Sequence, residues 1–418
     1  MNVFAFSKKP ATKIYAVIDI GSESVSGGIF EKYAESAPAP QSGAGASISG
    51  KPKFLYTASE PISFQKILTG ENLFGAMRKS LDMVLFHLQK YGIEHIKKAS
   101  KPSYHLENAS VFMSSPWHIS ETKVIKLTHE KPMAITKKLI DDLLATEEKE
   151  LETKFEIGKS KDALDTLEQK IVEARLDGYP TSVPVGRNAR SLELHLFTSI
   201  AQRHTLEFVK KAVRKSLNFS DVSFHTFSLA SFVALRDTFS QMADFLIIQI
   251  GGEVSDMTIV KKGQISETVS FPLGHNHLFR ALHKICGNHP HCTLEALLAL
   301  HLEQKIESRD KKRVEQAILE TKTAWLGFLE GSLTNFSGET FLPKTVFLFE
   351  DAPSTSTQVF AEFLGDPRLS KLTATAEPFT VNVVDENLAG HFAESQPNAL
   401  ISPNLAIGAS FVVRHMLN

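Results

Sequence analysis

A short turn near the start of the chain carries residue types that can hold a phosphate group. Asp19 ends a β-branched run, and Gly21 and Ser22 follow it closely. Backbone N–H groups in such a turn can converge on phosphate oxygens, and a carboxylate at the end of a strand can hold a hydrated Mg²⁺. Taken alone, the pattern is more often a plain hairpin turn. Phosphate binding and a simple hairpin therefore both remain open for this turn.

A second turn of the same kind opens the second half of the chain. Gly251 and Gly252 follow the apolar run that ends at Ile250, and a Ser-Asp pair comes shortly after. The recurrence of one strand–turn–strand pattern strengthens the phosphate hypothesis. We therefore predict a cofactor-binding site made of seven residues from the two turns: Asp19, Gly21, Ser22, Gly251, Gly252, Ser255 and Asp256.

Other groups of reactive residues favour simpler explanations. The loop 286–292 holds two cysteines and two histidines, but zinc ligands normally come from two separated elements, so a solvent-facing loop is favoured over a metal site. Lys8 and Lys9 lie in a segment too short for a stable membrane anchor alone, and a disordered start is predicted at 1–10. The sequence contains no catalytic triad, Walker loop or Rossmann fingerprint. No catalytic residue and no metal ligand is therefore predicted.

Two β-hairpins, one in each half of the chain, are predicted to carry the two turns. Lys13–Ile20 and Val25–Glu31 predict the first hairpin, and Asp244–Ile250 and Asp256–Lys261 predict the second. Their likeness indicates an internal duplication, with two related lobes that face each other.

A self-contained block separates the two hairpins. Its pattern is strand, strand, helix, strand and strand, with the first strand at Ala109–Met113 and Thr136 as the N-cap of the helix. We expect an inserted α+β subdomain at 107–203. The closing helix at Pro403–Leu417 is predicted to break at Gly408. The remaining predicted boundaries are the first lobe at 11–106 and 204–243, a flexible loop within it at 34–50, the second lobe at 244–418, and a reduced helical subdomain within that lobe at 284–335.

The composition excludes several classes of protein. A chain of 418 residues with 42% hydrophobic and 22% charged residues is typical of a globular protein with more than one core. The net charge of -1 offers no electrostatic basis for nucleic-acid binding. Two cysteines make no disulfide framework, and no apolar run has the length of a signal peptide or a membrane span. We therefore expect a cytoplasmic protein.

In their order and spacing, the two turns resemble the phosphate loops of the actin-like ATPase superfamily, which includes actin and sugar kinases. The inserted block is similar to the SHS2-type subdomain of the bacterial cell-division FtsA family and of the type IV pilus PilM family. Three further stretches are similar, Ser228–Ser231, Ser270–Asn276 and Asn404–Ala409, so the resemblance covers nearly the whole chain. It implies an α/β protein with a two-lobed, actin-like (ribonuclease H-like) ATPase fold and an inserted α+β subdomain.

The chain departs from the superfamily at positions near the nucleotide. Gln249 stands where the second loop has Asp, and Glu253 replaces its third Gly. Glu350 and Asp351 stand where a Gly-Gly turn would face adenosine. A carboxylate pointing at phosphate would cost about 4 kcal/mol at 4 Å and an effective dielectric near 20. We therefore expect weak or absent Mg-ATP binding and no appreciable turnover.

The resemblance implies an assembly or adaptor protein at the inner face of the membrane. An FtsA-like role in cell division is the first expectation. A PilM-like role, in which the protein binds a cytoplasmic peptide of a pilus membrane protein, is the alternative. An active kinase of the same fold is the rival from another class, and it would require an intact adenosine turn. FtsA-like chains end in an amphipathic helix, whereas this chain stops at Asn418, so we expect membrane contact only through a partner and self-association through the insert.

Overall fold

The structure is a computed structural model that describes residues 12–32, 50–99, 104–156, 163–219, 221–286, 291–334, 341–350, 355–396 and 399–417. The predicted disordered start at 1–10 lies outside these residues, as do 34–49 of the predicted flexible loop and Asp351.

The strands of the described residues form three sheets. In chain order they are β1 (Thr12–Ile20), β2 (Ser24–Lys32), β3 (Pro52–Pro61), β4 (Tyr104–Met113), β5 (Ile119–Ala134), β6 (Leu164–Leu176), β7 (Tyr179–Pro180), β8 (Asn188–Gln202), β9 (Asp221–Thr226), β10 (Phe245–Ile250), β11 (Ser255–Lys261), β12 (Gln264–Phe271), β13 (Thr345–Glu350), β14 (Thr380–Val383) and β15 (Glu394–Ser395).

The helices pack on the faces of these sheets. They are α1 (Gly70–His87), α2 (Ile93–Ala99), α3 (Lys137–Glu156), α4 (Arg203–Leu217), α5 (Phe227–Thr238), α6 (His275–Cys286), α7 (His291–Leu302), α8 (Ser308–Thr334), α9 (Ser356–Leu364), α10 (Glu386–Ala389) and α11 (Pro403–His415). A π-helical turn at Leu88–Gly92 joins α1 to α2, and a 3₁₀ helix lies at Pro367–Leu372. In the part of the chain that the structure describes, no helix is both long and apolar enough to cross a membrane.

The first lobe is built on a six-stranded sheet in the order β15-β3-β2-β1-β4-β9. Its central strand β1 pairs antiparallel with β2 and parallel with β4. Ile14 and Ile18 face the core under α1 and α4, whereas Tyr15 and Val17 face the core shared with α5 and α11. Both faces of β1 are therefore buried, which is why the strand appears in the sequence as a continuous apolar run.

The second lobe repeats this arrangement in a five-stranded sheet with the order β12-β11-β10-β13-β14. Its central strand β10 pairs antiparallel with β11 and parallel with β13. Leu246 and Ile248 face α6, α8 and α9, and Phe245 and Ile247 face the core shared with the first lobe. The likeness between the two hairpin segments in the sequence corresponds to this repeated architecture.

The inserted block is a four-stranded antiparallel sheet in the order β5-β8-β6-β7, with α3 on one face. Ile140 of α3 packs in one core with Leu192 and Leu194 of β8. The N-cap prediction is confirmed, because the Leu139 N–H donates to Thr136 Oγ1 at 3.1 Å.

The strand predicted at 109–113 as the first strand of the insert belongs instead to the first lobe. These residues are part of β4, which pairs in parallel with β1, and Ala16 pairs with Ala109. The sequence pattern could not reveal this, because the partner strand is remote in the chain. The strands of the inserted sheet lie within 119–202.

The predicted break at Gly408 is wrong, because α11 is continuous through it. A Cβ at Gly408 would lie 2.8 Å from Val17 Cγ2 and 2.9 Å from the Phe112 ring. Glycine is needed there so that the helix can approach β1 and β4 closely. Glu394–Ser395 and Pro403–His415, predicted as second lobe, thus return to the first lobe, where β15 pairs with β3 and α11 packs on β1.

Candidate functional site

The two predicted phosphate turns face each other where the central strands of the two sheets end. The Gly21 N–H donates to Ser24 O at 3.0 Å, and the Gly251 N–H donates to Val254 O at 2.9 Å. Each turn is therefore a tight hairpin connection between a central strand and its antiparallel neighbour. The two turns, remote in the sequence, therefore lie next to each other, as expected for two lobes that face each other.

The turns contact each other directly. The backbone N–H of Glu253 donates to Ser22 Oγ at 3.1 Å, and both residues are buried. A Cβ on Gly252 would lie 2.8 Å from the backbone oxygen of Ser22. A phosphate group that bridged the two turns would have to displace this hydrogen bond.

The start of α6 supports the second turn and reaches the first. The N–H groups of His275 and Asn276 donate to Gly251 O and Gly252 O at 3.0 and 2.9 Å. His275 Nε2 also lies 2.8 Å from a carboxylate oxygen of Glu23, in the first turn. Within the stretch Ser270–Asn276 that resembles the superfamily, two residues therefore have a structural role that the sequence pattern did not assign.

Asp19 is held by the last helix. Asn404 Nδ2, in the first turn of α11, donates to Asp19 Oδ2 at 3.1 Å, and both side chains are buried. Asn404 begins the stretch Asn404–Ala409 that resembles the superfamily, and the resemblance assigns it no partner. Its contact with Asp19 follows from the return of α11 to the first lobe.

Two serines after β4 reach across to the second lobe. Gln249 Nε2 donates to Ser114 Oγ at 3.0 Å, and Ser115 Oγ donates to Asp256 Oδ1 at 2.8 Å. Ser270 Oγ donates to the same Asp256 oxygen at 2.5 Å. Sequence reasoning missed both serines; the only signal was a Ser-Ser pair at the end of a strand. Asp256 is thus engaged by protein hydroxyls from both lobes.

Ser255 does not face the cleft with the other predicted residues. Its hydroxyl donates to Leu273 O at 2.5 Å and accepts from Trp325 Nε1 at 3.0 Å. Both partners belong to the core of the second lobe. Because neighbouring strand residues point to opposite faces, Asp256 faces the cleft and Ser255 faces away from it.

The Glu253 carboxylate is paired with Arg280, so it is not the unscreened charge that the expected repulsion with phosphate assumes. Arg280 Nη2 lies 2.6 and 2.7 Å from its two oxygens, and Asn276 Nδ2 donates to Oε1 at 2.9 Å. Glu350 is also buried, and Ser356 Oγ donates to it at 3.4 Å. Arg280 therefore reduces the repulsion expected between Glu253 and a phosphate. The Glu253 carboxylate nevertheless occupies Arg280 Nη2 and Asn276 Nδ2, two donors of α6 that could otherwise bind a phosphate.

The described residues do not fit Mg-ATP in this arrangement. Gln249 presents an amide where a Mg²⁺ site would use a carboxylate, and Asp256 is engaged by serines. The Glu253 carboxylate already accepts from Arg280 Nη2. No group of three or more His, Cys, Asp or Glu side chains suited to a metal occurs among the residues that the structure describes. Residues 287–290 and the side chains of the three remaining residues of the Cys-His loop lie outside that description.

The insert is joined to the first lobe by a buried carboxylate. Glu168 Oε2 accepts from the Thr226 N–H at 3.1 Å and from its hydroxyl at 2.7 Å, and His225 Nδ1 lies 3.0 Å from Glu168 Oε1. Burial lowers the pKa of His118, while the negative charges of Asp256 and Glu168 oppose this shift. His118 is buried near charged groups of the second lobe and of the insert, and its burial favours the neutral imidazole.

The insert also contacts the second lobe. Strand β5 lies against β12, the edge strand of the second sheet. Burial raises the pKa of Glu267 on β12, and the nearby charge of Glu121 on β5 raises it further. The insert thus touches both lobes.

A groove of about 610 Å³ lies within the insert, between the second half of α3 and the sheet. Leu151 and Leu196, both buried, form its apolar floor. Ion pairs line its rim: Lys123 to Glu147 at 2.6 Å, and Lys154 to Glu121 at 2.9 Å. The groove combines apolar contact area with charges of both signs.

No family model and no curated protein matches the sequence. The fold does match solved structures. A PilM-PilN type IV pilus biogenesis complex is similar with a TM-score of 0.56 and 13% identity, over 96% of this chain and 96% of that one. The ethanolamine utilization protein EutJ from Carboxydothermus hydrogenoformans has a TM-score of 0.41 and 10% identity, over 96% and 89%. A Bacteroides thetaiotaomicron protein with an actin-like ATPase fold and unknown function has a TM-score of 0.37 and 10% identity, over 91% of this chain and 94% of that one.

The chain therefore has the actin-like ATPase fold, as the order and spacing of its turns predicted. The similarity to the PilM-PilN complex is a similarity of fold. The FtsA and SHS2 assignments remain predictions.

Proposed function

We propose that the protein is an adaptor of actin-like fold that binds the cytoplasmic segment of a membrane protein, in the manner of a PilM-type protein of pilus assembly. The observation that carries this proposal is the likeness in fold to the PilM-PilN complex, which covers 96% of this chain and 96% of the matched chain. In this proposal the protein works in the cytoplasm, at the inner face of the membrane, and reaches the membrane through its partner.

The cleft supports an adaptor rather than a kinase. The direct hydrogen bond between Glu253 and Ser22 uses a backbone donor that a phosphate would need. Gln249 and Asp256 are engaged by serines of the first lobe rather than left for a metal. We therefore propose a degenerate nucleotide site, with no ATP turnover in the working cycle.

The groove of the insert is the surface that best fits a partner peptide. Its floor of Leu151 and Leu196 offers apolar contact, and the ion pairs at its rim offer charges of both signs. A short peptide with apolar side chains next to charged ones complements such a surface. We place the partner segment there.

The direct test uses synthetic peptides for the cytoplasmic segments of the pilus-type and division-type membrane proteins of the source genome. Fluorescence polarisation should show binding of the pilus-type peptide without added nucleotide. Thr153→Trp places a large side chain in the groove and should weaken binding at least tenfold, equivalent to about 1.4 kcal/mol. Asp141→Trp, at an exposed position of α3 outside the groove, is the matched control and should bind as the wild type does.

The same experiment decides between the two membrane roles. Binding of the division-type peptide alone would favour the FtsA-like role expected from the sequence, for which the reported fold matches give no support. Binding of neither peptide would contradict the adaptor proposal. Self-association through the insert stays a separate prediction, which light scattering of the purified protein measures.

A further inference from the structure

The contacts of Glu253 make it an unusual residue for a phosphate turn. Glu253 is only 5% exposed, and its carboxylate contacts Arg280 and Asn276 with three distances of 2.6 to 2.9 Å. Both partners lie on α6, four positions apart, so one face of the first two turns of that helix carries the donors. A buried carboxylate requires such partners, because an unpaired buried charge is strongly destabilising.

These donors form a site for an anion that involves both lobes. Arg280 Nε donates to Gln65 O of the first lobe at 3.2 Å, and its guanidinium lies 5.8 Å from the centroid of the Phe64 ring. The Glu253 N–H donates to Ser22 of the first lobe. The side chain of Glu253 is therefore the anion in this site, and its backbone N–H makes a contact between the two lobes.

We propose that Glu253 is an internal anion that takes the place of a ligand phosphate: its carboxylate binds Arg280 and Asn276, and the two turns contact each other without nucleotide. This inference deepens the nucleotide-independent role proposed above and rests on it. A charged carboxylate at 2.6 to 2.9 Å from these donors excludes a second anion, both by occupying them and by repulsion. Removal of the carboxylate therefore creates a site for phosphate-containing ligands from this chain's own residues.

The test is isothermal titration of pyrophosphate into three proteins. The wild type should bind weakly, and Glu253→Gly should bind at least about tenfold more tightly, because the donors become free and a like charge is removed. Glu253→Gly combined with Arg280→Gln should lose this gain. Circular dichroism and thermal unfolding establish that each variant is folded.

Glu253→Gln covers the case in which the glycine variant does not fold. It keeps the shape of the side chain and removes its charge, so a smaller gain in pyrophosphate affinity is expected. A folded Glu253→Gly or, failing that, a folded Glu253→Gln that binds pyrophosphate no more tightly than the wild type overturns the proposal. A gain that survives the Arg280→Gln substitution overturns it too, because the anion would then bind elsewhere.

The outcome is separable from that of the adaptor proposal. Peptide binding by the wild type without nucleotide tests the adaptor role and does not involve Glu253 variants. Tight binding of pyrophosphate by the wild type would contradict the internal-anion inference even if the peptide binds.

Discussion

The backbone N–H of Glu253 lies 3.1 Å from the hydroxyl oxygen of Ser22, and this hydrogen bond joins two turns that are 231 residues apart in the chain. Each turn ends the central strand of its own sheet. The bond therefore links the two lobes where a ligand phosphate would have to contact both. Two groups that could bind a phosphate here, the Ser22 hydroxyl and the Glu253 N–H, bind each other instead.

A methyl group at Gly252 should force these turns apart. In Gly252→Ala the new Cβ would lie 2.8 Å from Ser22 O and 3.0 Å from Asn276 Nδ2, closer than carbon packs against such atoms. Overpacking of this kind costs about 1–3 kcal/mol. Urea unfolding should show a free energy of unfolding lowered by this amount.

Gly75→Ala is the control for that substitution. Gly75 lies within α1, and a Cβ there would meet no atom within 4 Å. Alanine in a helix interior should raise the free energy of unfolding by about 0.5–1 kcal/mol. If Gly252→Ala were as stable as the wild type, the close contact of the two turns would be wrong.

The local parts of this architecture were accessible from the sequence. The β-branched runs before Asp19 and Gly251 predict buried central strands, and the likeness of the two hairpins predicts two lobes. Short-range patterns carry such information because neighbouring residues share one strand.

The pairing of remote groups was not accessible. That β4 joins the first sheet, that Asn404 reaches Asp19, and that Arg280 neutralises Glu253 all depend on contacts between distant segments. Gly408 shows the same limit. A glycine inside a helical pattern suggests a break, and only the tertiary contact with Val17 explains why it is there.

Loss of the Glu168 carboxylate should weaken the junction between the insert and the first lobe. Glu168→Ala leaves the N–H and the hydroxyl of Thr226 buried without this acceptor. An unsatisfied buried donor costs about 1–3 kcal/mol, so the free energy of unfolding should fall by at least that much. Chemical denaturation measures the change.

Glu150→Ala provides the comparison, because Glu150 forms an exposed ion pair with Lys123. Exposed pairs contribute about 0–1 kcal/mol. If the two substitutions lowered the free energy of unfolding equally, Glu168 would not join the insert to the first lobe.

Stability should depend on pH through His118. Burial lowers the pKa of His118 in the folded state below the ordinary value of 6.5, so below that value the unfolded chain binds more protons than the folded one. Stability is therefore lost as the pH falls below 6.5 and regained as it rises. Urea titrations between about pH 5 and 7.5 should show this slope, and His118→Phe should reduce it.

His129→Gln, a substitution at an exposed side chain of β5, should leave the slope unchanged. A slope that His118→Phe does not alter would show that another group is responsible.

Membrane recruitment should require the partner. With a net charge of -1, the purified protein should not sediment with liposomes that contain anionic lipid. Liposomes that display the partner's cytoplasmic segment should bring it down. Strong sedimentation with bare liposomes, lost when 1–9 are removed, would identify the N-terminal segment as an anchor.

We propose that this actin-like fold serves as a binding scaffold without nucleotide, and calorimetric titration of the wild type with Mg-ATP is the decisive experiment. We expect a dissociation constant no tighter than about 1 mM, because the two turns bind each other and Glu253 binds Arg280 and Asn276 of α6. A dissociation constant in the low micromolar range, lost in Asp19→Ala, would show that the protein is a nucleotide-binding protein and not a nucleotide-free scaffold.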